Sequence, residues 1–266
     1  MAALGELLRL LWGTVLLRPY VWAFFACFLV IAGAQLRGRG TLVFCALAWC
    51  TAFAAEYSST RNGFPFGPYV YLDATRSREL WVSNVPFWDS LSFVFLAYFS
   101  WRVAAQVRAP RRSGAVLLAP STALLAGLLM MLLDVVIDPV ALRGDQWFLG
   151  RLYLYPSPGP YFGVTLANFV GWFLVGTVTV LAFQGLCRLG AVRAERFTRP
   201  TPRADAACLG VYAGVLLFNL AVTAWIGAWT LLAAGCTVAA LTLGACLLRV
   251  ARPGAGAWWR RTAEGR

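Results

Sequence analysis

Residues 115–139 of this 266-residue chain read AVLLAPSTALLAGLLMMLLDVVIDP. Charged side chains occur in this stretch only at Asp134 and Asp138, close to its end. A run of about 17 to 25 mostly apolar residues is long enough to cross the hydrocarbon core of a bilayer as a helix. The stretch therefore predicts a membrane-spanning helix with two carboxyl groups near one membrane surface.

Apolar runs of this kind recur along the whole chain. The chain is 60% hydrophobic and 13% charged, whereas about 25% of residues are charged in a typical soluble domain. This composition predicts an all-α protein, a polytopic bundle of about seven transmembrane helices. The predicted spans cover residues 19–36, 41–57, 84–101, 115–139, 161–187, 207–225 and 229–248.

The two ends of the chain differ from the spans. Residues 1–18 mix leucines with charged residues and predict an amphipathic segment at the membrane interface. Residues 19–250 then form a single transmembrane helical domain, and residues 251–266 form a basic cytoplasmic tail. Sixteen of the 23 arginines fall on one side of the predicted membrane and seven on the other. Because the richer side stays in the cytoplasm, we predict a multi-pass protein of the cytoplasmic membrane, amino terminus out and carboxyl terminus in.

Histidine and lysine are missing from the sequence, and all 23 basic residues are arginine. Sites built on those residue types are excluded, among them His-ligated iron and zinc, the Ser-His-Asp relay, the P-loop and the lysine Schiff base. The seven cysteines form no CxxC pair and lie in or beside apolar runs, where cysteine packs as a small hydrophobic residue. We expect no metal and no cofactor. The net charge of +12 comes from arginines scattered through short loops, so we expect no nucleic-acid binding.

Four acidic residues stand inside the predicted spans or at their ends, where a charged side chain is costly and is usually functional. Successive spans run in opposite directions, so the second, third and fourth spans place all four on one face of the membrane. The fifth span starts on that face with an amide and an indole one helical turn apart. The residues that share this face are Glu56, Asp89, Asp134, Asp138, Asn168 and Trp172.

Each of these carboxyls also has a structural explanation by itself. Glu56 could face lipid headgroups or pair with Arg61, and Asp89 could cap the start of its helix. Asp138 precedes a proline and could mark a helix end, while Asp134 could make one hydrogen bond between helices. Four such coincidences on one face are harder to accept than one shared functional site.

The loops on this face are rich in aromatic residues, proline and glycine. Residues 58–71 read SSTRNGFPFGPYVY, and residues 147–162 read WFLGRLYLYPSPGPYF. The prolines and glycines rule out a continuous helix, and the aromatic side chains are too apolar to face water freely. Because irregular backbone at membrane depth must be buried in protein, we predict a folded lid or re-entrant turn against the helix ends. An interfacial belt of aromatic residues is the alternative.

Carboxyl groups, aromatic rings and amides around an apolar pocket suit acid–base chemistry on an apolar substrate. One carboxyl can stay protonated while another is ionised, if their surroundings differ. A protonated carboxyl can donate its proton to an isolated double bond, and aromatic faces stabilise the tertiary carbocation that forms. Addition of water, helped by an ionised carboxylate, would complete the hydration of an alkene.

A set of motifs extends over about residues 40–175. Glu56 is followed by Ser59-Thr60 and by the string GFPFGPYVY at residues 63–71. Further along the chain come Val85-Pro86 with Trp88, Asp134, Asp138-Pro139, Trp147, Tyr161-Phe162-Gly163-Val164, Asn168-Phe169 and Gly171-Trp172. This pattern resembles that of the multi-pass carotenoid biosynthesis proteins of the CruF and bisanhydrobacterioruberin hydratase type.

The resemblance implies an enzyme that adds water across the terminal double bond of an acyclic carotenoid end group. The product is a tertiary hydroxyl, and no redox cofactor takes part. The implied partners are a lycopene-like or other acyclic-ended carotenoid and the lipid bilayer, with room for association with other carotenoid enzymes.

Roles for single residues come from the chemistry of the residues themselves. We predict that Glu56 or Asp138 donates the proton, that Asp134 adjusts the acidity of the donor, and that Asn168 positions water. A second group of residues is predicted to bind the substrate, with aromatic rings around the cation and the polyene. This group consists of Phe64, Phe66, Tyr69, Tyr71, Trp88, Asp89, Tyr161 and Trp172.

Other activities stay open. Asp134 and Asp138 spell DxxxD, a pattern of prenyltransferases that bind a magnesium diphosphate, although those enzymes use two such motifs and the sequence has one. The same carboxyls would also serve a proton-coupled transporter as a relay, although the sequence has no internal repeat. A non-catalytic membrane scaffold is a further alternative.

Overall fold

The computed structural model describes residues 2–108, 114–192 and 201–250. Within these residues the chain is mostly helical, which confirms the all-α prediction. The predicted basic tail, residues 251–266, lies outside the described residues. The eight helices of the described residues are α1 (Ala2–Leu17), α2 (Pro19–Asn62), α3 (Phe87–Arg108), α4 (Gly114–Leu117), α5 (Pro120–Ala141), α6 (Leu166–Arg188), α7 (Pro202–Trp225) and α8 (Trp229–Val250).

Five of the described helices are long and apolar enough to cross a membrane by length and composition, as an integral membrane protein requires. They are α2, α5, α6, α7 and α8. The predicted third span corresponds to α3, whose residues 93–104 are all buried inside the protein. This makes α3 the central helix of the bundle. The figure of seven spans and the orientation in the membrane stay predictions.

The helix α2 is interrupted at Arg37, whose φ of 59° and ψ of 173° are not helical. The rings of Phe28 and Phe44 have their centroids 6.1 Å apart. In a straight helix the 1.5 Å rise per residue would separate these positions by about 24 Å. The chain therefore turns back at Arg37, and the two halves of α2, residues 19–36 and 38–62, pack side by side. They correspond to the first two predicted spans.

The helix α1 precedes the bundle and carries apolar side chains on its outside. Leu4, Trp12 and Leu16 are 61%, 64% and 62% exposed. On its inner side, the backbone N–H of Leu80 donates to the Thr14 hydroxyl at 2.8 Å. The helix is thus attached to the segment that precedes α3, and its place at the membrane interface stays a prediction.

The helices α5 and α6 approach closely because small residues face each other. A Cβ atom at Gly127 of α5 would lie 3.1 Å from the backbone nitrogen of Thr177 in α6. A Cβ atom at Gly176 would lie 3.2 Å from the Cα atom of Gly127. In lipid, where apolar burial favours association little, close packing through small residues is a main source of helix–helix affinity. This contact fixes how the polar residues of α5 meet those of α6.

Replacing Gly127 with alanine is expected to lower the melting temperature in detergent. The added methyl group would press on the α6 backbone, and overpacking of this kind costs roughly 1–3 kcal/mol. Gly185→Ala is the matched control, because a Cβ atom at Gly185 of α6 would meet nothing within 4 Å. Thermal unfolding followed by circular dichroism measures both variants, and equal melting temperatures would contradict the close approach.

The segments between helix ends fold over one end of the bundle. We call residues 63–86 and 142–165 together the lid. Its strands are two residues long and form two antiparallel pairs, in the first of which Tyr71 lies directly opposite Tyr153. The pairs are β1 (Val70–Tyr71) with β4 (Tyr153–Leu154), and β2 (Trp81–Val82) with β3 (Val85–Pro86).

Three predicted spans start too early in the sequence. The fourth, predicted from residue 115, corresponds to α5, which begins at Pro120 after the separate short helix α4. The other two start within the lid. Residues 84–86 belong to the lid, and α3 begins only at Phe87. Residues 161–165 were included in the fifth span, but they form bridges with the preceding turn, and α6 begins at Leu166. The apolar side chains in both places are buried by the lid: Val85 and Val164 are each 0% exposed. At these positions the apolar composition therefore indicates burial under the lid and does not indicate a helix.

Candidate active site

Beneath the lid, the ends of the helices surround a partly open cavity of about 110 Å³. Side chains from α2, α3, α5, α6 and α7 line it together with the lid. The lining is largely aromatic and aliphatic, but three helices each contribute a carboxyl group: Glu56 from α2, Asp89 from α3 and Asp138 from α5. Acid groups that are far apart in sequence thus share one apolar space.

Asp138 lies among three hydrogen-bond donors. The Tyr153 hydroxyl donates to Oδ1, and the Tyr155 hydroxyl donates to Oδ2 at 3.1 Å. The side-chain amide of Asn168 donates to the same Oδ2, also at 3.1 Å. Hydrogen bonds to an ionised carboxylate are among the stronger ones in proteins, and three of them fix the orientation of this group.

Asp134 lies one helical turn before Asp138 and is fully buried. The Asn168 amide donates to its Oδ2 at 2.6 Å, so one amide bridges the two carboxyls of the DxxxD pair. Its Oδ1 has no hydrogen-bond partner within the described residues. Those residues also contain no group of three or more His, Cys, Asp or Glu side chains that could hold a metal ion. Asp134 does not line the cavity itself, and the Asn168 amide joins it to Asp138, which does.

Asp89 is held by the lid. The Tyr71 hydroxyl donates to its Oδ2, and the Tyr69 hydroxyl donates to the Tyr71 hydroxyl at 3.4 Å. Because Tyr71 and Tyr153 face each other across β1 and β4, this small sheet presents one hydroxyl to Asp89 and another to Asp138. The lid and the carboxyls of two helices are thereby joined.

Glu56 is only 2% exposed and lies near the end of α2. The Ser90 hydroxyl of α3 donates to its Oε2, and none of the described residues forms a hydrogen bond with its Oε1. One turn later, the Ser59 hydroxyl accepts the backbone N–H of Phe66 at 3.0 Å. This bond holds the first segment of the lid over the end of the helix.

Aromatic rings form one wall of the cavity that Glu56 also lines. Trp172 stacks on Phe93 with ring centroids 4.1 Å apart, and the ring of Phe66 lies 5.9 Å from Phe93 and 6.5 Å from Trp172. A Cβ atom at Gly171 would lie 2.9 Å from Cε1 of Phe66, so the glycine leaves room for the ring. The faces of such rings carry partial negative charge and attract a cation.

A buried ion pair supports the cavity from behind. Arg18 Nη2 lies 3.3 Å from Glu79 Oε1, and the two side chains are 1% and 0% exposed. The guanidinium carbon of Arg18 lies 4.8 Å from the ring centre of Trp88, which lines the cavity. The pair joins the start of α2 to the lid and fixes the position of Trp88.

The tyrosines of the lid are kept in the neutral form. Burial raises the pKa of Tyr71 and of Tyr153 well above the ordinary value of 10.0, and the neighbouring carboxyl groups raise it further. Burial likewise raises the pKa of Tyr69. These hydroxyls therefore keep their protons at any physiological pH and remain available as hydrogen-bond donors to the carboxyls.

An alkaline titration is expected to show that the buried tyrosines ionise at a higher pH in the folded protein than in the denatured protein. The pKa of these tyrosines is higher in the folded protein than in the unfolded protein. Their contribution to folding stability is therefore fully present below about pH 10 and is lost as the pH rises through the folded pKa. At about pH 11 the folded protein should hold fewer tyrosinates than the denatured protein, as near-ultraviolet absorbance measures. Tyr153→Phe should reduce only the part of the absorbance change that appears at the highest pH, because Tyr153 is one of the buried tyrosines. Identical titration curves for folded and denatured protein would contradict this burial.

Nine of the twelve predicted site residues line the cavity. Of the other three, Asp134 reaches it through Asn168, and Phe64 is 67% exposed at the surface of the lid. Tyr161 packs its ring against Phe162 and Phe169, outside the cavity. The roles of all twelve stay predictions. The nine that line the cavity are Glu56, Phe66, Tyr69, Tyr71, Trp88, Asp89, Asp138, Asn168 and Trp172.

Sequence reasoning missed several residues of the site. Tyr153 and Tyr155 were noticed only as aromatic loop residues, although positions two apart in a strand point to the same side and both bind Asp138. Ser90, which binds Glu56, and Asn219 of α7, which lines the cavity, carry no signal in the sequence that sets them apart from other polar residues.

Comparison with known proteins agrees with the resemblance of the motifs. A curated protein named bisanhydrobacterioruberin hydratase, from Haloarcula japonica, is 29% identical over 146 residues. This match covers 54% of the chain and 45% of the relative, so the chain spans about half of the relative's length. No solved structure matches the chain significantly. The family model described as carotenoid biosynthesis protein matches residues 14–242, and the chain therefore belongs to the carotenoid biosynthesis protein family.

Proposed function

We propose that this protein adds water across the terminal double bond of an acyclic carotenoid end group and forms a tertiary hydroxyl. Membership of the family supports a carotenoid substrate, and the name of the Haloarcula relative supports hydration. One observation carries the proposal: hydrogen-bonded carboxyl groups line a cavity whose lining is largely aromatic and aliphatic. Acidic groups in such surroundings are costly and are retained for function.

Glu56 suits the role of proton donor. Its Oε2 is occupied by Ser90, whereas Oε1 has no partner among the described residues and belongs to a side chain that lines the cavity. The protonated carboxyl would transfer its proton to the less substituted carbon of the double bond. The two π electrons form the new C–H bond, which leaves a carboxylate at Glu56 and a positive charge on the tertiary carbon.

The aromatic wall would stabilise that charge. Phe66, Phe93 and Trp172 line the same cavity as Glu56, and their ring centroids lie within 6.5 Å of one another. A cation over an aromatic face gains about 0.5–2 kcal/mol, with the larger value at sites without water. Asp89 adds a further carboxyl group to the same cavity.

Asp138 suits the role of base. Tyr153, Tyr155 and Asn168 hold both of its oxygens as acceptors. A water molecule oriented by this carboxylate and the Asn168 amide would attack the tertiary carbon, and its proton would pass to Asp138. Transfer of a proton from Asp138 back to Glu56 through solvent restores the site. The sum is one alkene and one water converted into one tertiary alcohol.

We also propose the finer topology that the arginines predict. Seven spans, counting both halves of α2 and the central α3, would place the amino terminus outside and the lid near the outer surface of the cytoplasmic membrane. Labelling of a cysteine introduced at Ser83, an exposed residue of the lid, with a membrane-impermeant thiol reagent on intact cells tests this orientation. Labelling only after the cells are opened would place the lid on the cytoplasmic side and so contradict the proposed orientation.

The function is tested in a bacterial host that makes lycopene. Expression of the protein should yield carotenoids heavier by one or two molecules of water, as chromatography and mass spectrometry measure. Glu56→Gln, Asp134→Asn and Asp138→Asn are compared at equal expression. Unchanged lycopene with the wild-type protein would overturn hydration of this substrate, and full product from all three variants would overturn the carboxyl mechanism.

A further inference from the structure

A carotenoid end group is attached to a long, stiff conjugated chain. The cavity lies at one end of the helix bundle, under the lid, and its volume of about 110 Å³ cannot hold such a chain. If the end group reacts at the carboxyls, the remainder of the molecule must leave the cavity through one of its walls. The inference below rests on the proposed function, and it names the wall.

The walls of the cavity differ in burial. The rings of the aromatic wall are enclosed: Phe66, Phe93 and Trp172 are 2%, 3% and 8% exposed. The lid side is half-buried but polar, because the hydroxyls of its tyrosines Tyr71 and Tyr153 are bound to Asp89 and Asp138. Neither wall offers an apolar route outward.

A third wall comes from the first half of α2 and from α7. Tyr20 and Phe24 of α2 and Phe218 of α7 line the cavity and are only half-buried. Tyr20 stacks on Phe218 with ring centroids 5.0 Å apart, and Phe24 meets the same ring edge-on at 6.1 Å. These rings meet across the seam. Next to them, Gly214 of α7 has no side chain to fill the space beside Phe24.

We propose that the seam between residues 19–36 of α2 and helix α7 is a lateral opening for the conjugated chain of a linear carotenoid. The end group enters first and reaches the carboxyls, while the chain lies between Phe24, Gly214 and Phe218 and extends into the bilayer. A flat polyene stacks well on aromatic rings, and both the seam and the lipid tails are apolar. The substrate class is therefore a linear polyene with an acyclic end.

Closing the seam should act on long substrates only. A Cβ atom at Gly214 would lie 3.8 Å from Cε1 of Phe24, an ordinary contact, so a longer side chain at this position would extend into the seam. Gly214→Leu fills the seam and should lower turnover of a full-length acyclic carotenoid about tenfold or more, because the end group no longer reaches its reactive position. Turnover of a short acyclic isoprenoid hydrocarbon with the same end group should stay within about twofold.

The control for the larger side chain is Gly244→Leu in α8, where a Cβ atom would meet nothing within 4 Å. Equal losses on long and short substrates in Gly214→Leu, or no loss on either, would overturn the lateral opening. If the wild-type protein hydrates neither substrate, the proposed function fails, and the seam is then judged by binding.

Binding is measured with a photo-crosslinking phenylalanine analogue placed on α7. At position 218, in the seam, irradiation should give an adduct with lycopene that saturates as lycopene is added. At position 217, where Leu217 is 60% exposed on the outside of the same helix, an adduct should grow without saturation. Saturable labelling at 217 and not at 218 would contradict the proposal, whatever the outcome of the activity assay.

Discussion

Asp138→Asn is expected to lower the rate of hydration by about a hundredfold to ten-thousandfold, the range for removal of a general acid or base. Asparagine has almost the same shape as aspartate but carries no charge. Its amide nitrogen replaces one carboxylate oxygen and so cannot accept one of two hydrogen bonds, either the one that Tyr153 donates to Oδ1 or the one that Tyr155 donates to Oδ2. Product formed per unit of folded protein measures the effect.

The matched control is Asp145→Asn, the same chemical change at an exposed position of the lid. It should leave the rate within about twofold of the wild type, since most surface substitutions have small effects. A rate for Asp138→Asn that is equally close to the wild type, in protein that folds normally, would remove Asp138 from the mechanism.

Deuterium oxide separates the role of Asp138 from that of Glu56. With Asp138→Asn, Glu56 can still deliver a deuteron to the double bond, and the cation can lose a proton before water adds. Unreacted carotenoid should therefore gain carbon-bound deuterium without gaining a hydroxyl. With Glu56→Gln neither change should occur. Deuterium in the substrate with Glu56→Gln and none with Asp138→Asn would exchange the two roles.

Glu79→Gln is expected to destabilise the protein by about 3–5 kcal/mol, because it leaves the Arg18 charge buried without a partner. The pair lies 3.3 Å apart with both side chains almost fully enclosed, so water cannot replace the lost contact. A clear drop in melting temperature in detergent is the expected result. Because Trp88 would lose its support as well, the activity should also be lower than that of the wild type at temperatures below the new melting temperature, where the variant is still folded.

Asp73→Asn provides the comparison for an exposed pair. Asp73 contacts Arg76 at 3.0 Å, but its side chain is 74% exposed. Pairs of this kind contribute about 0–1 kcal/mol. Replacing both partners of the buried pair, as in Arg18→Met with Glu79→Leu, should recover much of the stability that Glu79→Gln loses. If the double variant were less stable than Glu79→Gln, the unpaired charge of Arg18 would not be the cause of the lost stability.

Hydrophobic runs predicted the helices well, since a helix in lipid must carry apolar side chains on most of its length. They failed where apolar residues are buried by the lid, as at Val85 and Val164. The sequence predicts the turn at Arg37 only because the apolar run around it is long enough for two spans. Span direction also brought Glu56, Asp138 and Asn168 to one end of the bundle, because direction depends only on how many spans lie between them.

Contacts that depend on tertiary packing were beyond the sequence. The strands β1 and β4 are two residues long and more than eighty residues apart, so no local pattern sets Tyr71 opposite Tyr153. The same holds for the pairing of Arg18 with Glu79, which depends on where the lid meets the start of α2. Phe64 and Tyr161 share the aromatic motif of their neighbours, and only the fold shows that they lie outside the cavity.

The most direct test of the account is to run the reaction in deuterium oxide enriched in heavy oxygen. The carboxyl mechanism predicts that each new hydroxyl carries the heavy oxygen of water, and that each reacted end group carries one carbon-bound deuterium delivered from Glu56. A hydroxyl whose oxygen comes from dissolved dioxygen, or a product without carbon-bound deuterium, would contradict it.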